Sequence, residues 1–154
     1  MQKISPDQVK ELIAAHPDIV EFGTAEAKVD EVWIGRAEER IGLKLTESYK
    51  WFLRNYAHGE IFGDEIYSLY GEDFDTIQGG DIVANYLRDL KSGMTDPGRV
   101  PICITDFAET FYFEYTEYKD GECPIYLMHG VSRIEPYAGD FYEFLYRYIT
   151  DNIK

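Results

Sequence analysis

The sequence predicts an α+β fold: a mostly antiparallel sheet of about four to six strands, packed by amino-terminal and carboxy-terminal helices. Three observations lead there. Apolar residues recur at helical spacing near both ends of the chain. From Arg99 the pattern changes to short alternating runs separated by turn residues, the signature of a meander. No internal repeat, low-complexity segment or long linker interrupts the 154 residues, so residues 1–154 are expected to form one domain.

The elements follow in order. Ser5-Pro6-Asp7-Gln8 predicts a helix start, with Ser5 as N-cap, Pro6 in the first turn and Gln8 closing a capping box. Val9, Leu12 and Ile13 give that helix its apolar face, and His16-Pro17 ends it. A second helix is predicted over residues 29–41, with Val29, Trp33, Ala37 and Ile41 four apart and Gly42 as its C-terminal glycine. The third carries "ESYKWFL" behind Thr46 as N-cap. Its stripe is Tyr49, Phe52, Leu53 and Tyr56, and Gly59 is its expected stop. Trp51 falls on the opposite flank, to pack beneath the last helix or to stand exposed.

Beyond Gly63 the residues 66–70, "IYSLY", suit a strand, and residues 80–90 suit a helix stopped by Ser92-Gly93. Four strands are then predicted at 100–105, 110–116, 124–128 and 131–137, with turns at Lys119-Asp120-Gly121 and His129-Gly130. In "TFYFEYT", Phe111, Phe113 and Tyr115 share one face while Tyr112 and Glu114 share the other. A final helix starts at the cap Asp140 and has a broad aromatic sector through Phe141, Phe144, Leu145 and Tyr148.

Hydrophobic residues form 45% of the chain and aromatics 16%, enough to offset the entropy of ordering it. Fifteen Lys and Arg stand against twenty-nine Asp and Glu, a net charge of −14. Such a field repels nucleic acid and anionic membranes, which need basic residues to neutralise phosphate, and it attracts cationic partners. Two cysteines are too few for a disulfide framework, and the start Met1-Gln2-Lys3-Ile4 has no apolar signal region. With no apolar run approaching the roughly 18 residues of a membrane span, the expectation is a cytoplasmic protein.

The residues offer no catalytic machinery. His16, His58 and His129 are scattered beside turn residues, neither Cys103 nor Cys123 has a neighbour at C-x-x-C spacing, and no G-x-S-x-G elbow occurs. Gly79-Gly80 precedes a helix without the Lys-Ser/Thr that a phosphate loop requires. No metal and no cofactor is expected, and an enzyme is not. A hydrolase working through a carboxylate pair has only the abundance of acids in its favour.

The charges are segregated. Residues 60–87 hold seven acids, Glu60, Asp64, Glu65, Glu72, Asp73, Asp75 and Asp81, and no Lys or Arg. Residues 100–118 hold four more, Asp106, Glu109, Glu114 and Glu117, again without a basic residue. Tyr67, Tyr70, Phe74, Phe107 and Tyr112 lie among them. Acids mixed with aromatics suit a surface that steers in a basic protein and anchors it by packing. The partner-binding candidates are Asp64, Glu65, Tyr67, Glu72, Asp73, Asp75, Tyr112 and Glu114.

The central segment also carries a family resemblance. Ile41-Gly42-x-x-Leu45, then Glu47-Ser48-Tyr49-Lys50-Trp51-Phe52-Leu53, then Gly59 and Phe62-Gly63, resemble the signature of the SUKH superfamily. That group includes fungal cell-wall-assembly regulators and many bacterial immunity proteins. "KDGECPIY" at residues 119–126 and the closing "GDFYEFLYRYI" are similar to later parts of the family. Thr46 stands where the family commonly has Pro, and Gly59-Glu60 where it has Gly-Gly. The resemblance implies an α+β domain without enzymatic activity. It implies a protein that neutralises a cognate toxin, often a nuclease, or else an intracellular regulatory scaffold.

Overall fold

The computed structural model describes residues 3–27, 29–130 and 132–153. Among these, helices at both ends flank two antiparallel sheets, of three and four strands. The α+β class is as the sequence predicts, with the strands divided between two sheets.

Helix α1 (Pro6–Ala15) starts with the expected capping box, Ser5 and Gln8 each satisfying the other's backbone N–H. Strand β1 (Val20–Phe22) follows, then α2 (Glu31–Ile41), capped by Asp30 and closed by Gly42 in the left-handed region. Helix α2 buries Ala37 of the predicted face and Ile34 beside it, while Trp33 and Ile41 of that face are half-buried. Helix α3 (Glu47–Asn55) is capped by Thr46 and buries Tyr49, Phe52 and Leu53 completely. Tyr56 is its C-cap rather than part of its buried stripe.

Gly59 does not stop α3. It opens strand β2 (Gly59–Ile61), opposite Phe22 of β1, where a Cβ would lie 2.1 Å from the Phe22 ring. Only glycine lets these two strands pair. Phe62-Gly63 is a two-residue hairpin with both φ angles positive, leading into β3 (Asp64–Ile66). Of the predicted strand at 66–70 only Ile66 belongs to β3, and Ser68 makes an isolated parallel bridge to Asp81. Tyr67 then donates its N–H to the Ile102 carbonyl, which ties the small sheet to the large one.

Helix α4 (Ile82–Ser92) is capped by Asp81 and closed by Gly93. The meander is β4 (Arg99–Ile104), β5 (Glu109–Glu114), β6 (Ile125–His129) and β7 (Arg133–Ala138), each paired with the next. Tyr115 leaves the strand for a short 3-10 turn over Tyr115–Glu117. Val131, in the predicted fourth strand, lies outside the described residues.

Helix α5 (Phe141–Asn152) closes the fold behind its Asp140 cap. Its ring of Phe141 sits 5.1 Å from Tyr49 and 5.4 Å from Phe52, and Phe144 sits 5.2 Å from Phe111. Aromatic edges therefore join α3, α5 and the inner face of the meander into one apolar cluster. Trp51 packs on Tyr142 of α5 at 5.2 Å, the first of its two predicted environments. Among the described residues no helix is long and apolar enough to cross a membrane.

Candidate functional site: an acidic, aromatic flank

The outer face of the small sheet builds the site. Glu21 of β1 is the direct cross-strand neighbour of Glu60 on β2, and Glu60 is that of Glu65 on β3. Three exposed carboxylates thus lie in a row across three strands. Like charges directly opposite one another are destabilising, so the row is held at a cost to the fold.

This row borders a groove of about 730 Å³, walled also by Asp30, His58, Trp33, Tyr70 and Glu72. The Trp33 ring has Phe74 edge-on at 5.5 Å and the Arg36 guanidinium 4.7 Å from its centroid. The Tyr70 hydroxyl donates to Glu65 Oε2 at 2.8 Å and accepts the Gly80 N–H at 2.7 Å. A Cβ at Gly80 would lie 2.3 Å from the Glu65 carboxylate, so a side chain there would push Glu65 away from Tyr70. Burial, then the bond to Glu65, raises the Tyr70 pKa above its ordinary value, so the phenol remains a donor. The groove's inner wall includes Ser68, 1% exposed, whose Oγ has no hydrogen-bond partner among the described residues.

The groove continues past Asp18, Glu21 and Glu60 to Phe62, and from Phe62 into a second depression of about 510 Å³. Asp64, Asp106, Glu109 and Asp151 line that depression beside Phe107 and Tyr148. Phe62 is 63% exposed and Phe107 is 85% exposed. Phe62 also adopts φ +50°, a conformation costly for a bulky side chain, so strain and exposure coincide at one aromatic. No Lys or Arg occurs among the described residues that line the groove, its continuation or the second depression.

The eight predicted partner-binding residues do not form one patch. Glu65 and Glu72 line the groove, and Asp64 lines the second depression while accepting a short hydrogen bond from the Tyr148 hydroxyl. Tyr67 is half-buried against the core, its pKa pushed up to about 12 chiefly by that burial, and its carbonyl accepts the Tyr49 hydroxyl at 2.6 Å. Asp73 accepts the Asp75 N–H, and Asp75 is engaged by both terminal nitrogens of Arg40 at 2.6 and 3.1 Å.

Tyr112 and Glu114 do share the face of β5 turned from α5, as predicted, but that face is covered. Tyr112 is 1% exposed, stacked on Tyr126 with the Arg99 guanidinium 5.2 Å from its ring. Glu114 is 8% exposed and bound by Arg99 and Thr116. Neither offers a partner any appreciable surface. Glu21, Asp30 and Phe62 belong to the flank although their residue types alone did not mark them. The "FG" after Gly59 was the available signal for Phe62, since a hairpin turn exposes what it carries.

Cys103 and Cys123 are free and buried, and burial raises both thiols well above their ordinary pKa, which disfavours a reactive thiolate. Among the described residues no three His, Cys, Asp or Glu side chains are grouped to hold a metal ion. The flank brings exposed carboxylates together with the exposed rings of Phe62 and Phe107.

Helices flanking two antiparallel sheets, with α3 packed against α5 and the meander, define an α+β domain. A family model described as SMI1-KNR4 cell-wall, SUKH_6, matches residues 31–145, from the first residue of α2 into α5, and the chain belongs to that family.

Proposed function

We propose that this protein is a non-enzymatic immunity protein that neutralises a basic cognate toxin by covering it with the acidic flank. The observation that carries the reading is the continuous surface from Asp30 through Glu60 and Phe62 to Phe107, with no Lys or Arg among its described lining residues. A nuclease toxin presents cationic groups to phosphate, and a carboxylate surface competes for them while Phe62 and Phe107 supply buried anchors. The surface is drawn from Glu65, Glu72 and Asp64 together with Glu21, Glu60, Phe62 and Phe107, without Tyr112 and Glu114. Such a toxin acts in the cytoplasm, where two free thiols are at home.

Co-expression with a toxin tests the reading if one is encoded beside the gene, and the absence of such a neighbour would favour a regulatory scaffold. Cells carrying the wild type are expected to grow, and cells carrying the Glu60→Lys/Glu65→Lys double variant are expected to die. Death in both cases, with the wild type folded and abundant, would overturn the immunity function and favour a regulatory scaffold.

A further inference from the structure

We propose that the depression between Phe62 and Phe107 receives a large apolar side chain of the partner, carried on a segment that places Lys or Arg on either side of it. The proposal deepens the function given above and rests on it for the partner being a toxin. Its first support is apolar. Phe62 and Phe107 are the two most exposed aromatic rings among the described residues, and both stand at the depression of about 510 Å³. The buried side chains of Phe111, Leu127, Tyr137 and Tyr148 form its floor. The Tyr148 hydroxyl donates to Asp64 and the Tyr137 hydroxyl to Asp151, so both phenols are already engaged and their rings remain as carbon surface. Exposed rings beside an aromatic cavity mark a place where a partner buries apolar surface.

Thr105 holds the turn that carries Phe107. Its N–H donates to the Glu109 carbonyl at 2.9 Å and its Oγ accepts the Phe107 N–H at 3.2 Å, so the turn is placed before a partner arrives. Charge then selects the occupant. A second copy could offer its own Phe107, but it would set Asp64, Asp106, Glu109 and Asp151 against the same four carboxylates. No Lys or Arg among the described lining residues would balance them. A segment with cations on both sides of its apolar residue meets the same rim favourably. The carboxylates set the sign of the flanks, while the cavity and its rings hold the anchor.

The test uses the isolated protein and the blocked tripeptide Lys-Phe-Lys, followed by amide chemical shifts in a nitrogen-15 titration. The expected result is saturable movement of Phe107, Leu127 and Tyr148. Binding should weaken by at least about threefold with Glu-Phe-Glu, which keeps the ring, and by at least about tenfold with Lys-Ser-Lys, which keeps the charge. Phe107→Ala, with an unchanged spectrum elsewhere, is expected to weaken Lys-Phe-Lys by at least about threefold. Equal response to Lys-Ser-Lys or Glu-Phe-Glu, movement confined to the Glu21–Glu60–Glu65 groove, or indifference to Phe107→Ala would each overturn the proposal. So would a dimer in sedimentation velocity that Phe107→Ala abolishes, because a second copy would then be the occupant. If the peptide misses the depression while the wild type still protects cells, only the apolar site falls. If it binds there and protection fails, only the toxin reading falls.

Discussion

Ser48 shows how much one small side chain coordinates. Its Oγ donates to Glu122 Oε1 at 2.6 Å and accepts the Phe141 N–H at 3.0 Å, while its own N–H reaches Glu122 Oε2 at 2.8 Å. The starts of α3 and α5 are thereby fastened to the turn before β6. Ser48→Ala leaves the Phe141 N–H and one Glu122 oxygen without a partner in a buried place. It is expected to cost about 1–3 kcal/mol in urea unfolding, and a loss below about 0.5 kcal/mol would show the node to be unimportant. Glu122, Asp81 and Asp140 all have pKa values raised chiefly by burial, against the pull of their hydrogen bonds. Above their ordinary values of 4.5, 3.8 and 3.8 the folded state therefore holds protons that the unfolded chain has released. These groups make stability fall as pH rises from those values through the folded pKa values, and urea midpoints should fall over that window. Asp75, lowered by Arg40, works in the opposite sense, and its contribution fades only as pH falls below 3.8. The Thr46, Asp140 and Ser5 caps were legible because each sits directly before a periodic run. The role of Ser48 was not, since its partners lie 74 and 93 residues away.

Among the elements, the small sheet is the one shaped by something other than stability. Opposing Glu60 with glutamates on both sides places like charge against like charge in a sheet of three-residue strands. Glu60→Lys converts two repulsions into two attractions, and thermal unfolding should show stabilisation of about 0.2–1 kcal/mol for each relieved pair. A destabilised Glu60→Lys protein would mean that the row is supported by contacts not yet recognised. Helices were readable from sequence because ten or so residues of periodicity and a cap reinforce each other. Strands β1 and β2 were not, since three residues cannot display an alternation and their register depends on Gly59 passing Phe22. The outer face of β5 illustrates a different limit. Alternation told that Tyr112 points away from Phe111 and Phe113, but not that Tyr126 and Arg99 close over it.

Over the whole molecule, a charge of −14 is distributed unevenly, and the unevenness was partly visible in two stretches free of Lys and Arg. Those stretches do not map onto one surface. Asp75 is bound by Arg40 and Glu114 by Arg99, basic residues from outside either stretch, while Glu21 and Asp18 join the flank from a segment that gave no sign of it. Folding thus sorts the acids into those balanced within the molecule and those turned toward a partner. The central claim is that the second group recognises a basic protein, and calorimetric titration with the basic partner that co-purifies with the protein tests it most directly. Affinity should fall at least about tenfold between about 0.05 M and about 0.5 M salt, and Glu60→Lys/Glu65→Lys should weaken it further at low salt. An affinity indifferent to both salt and charge reversal would contradict the account.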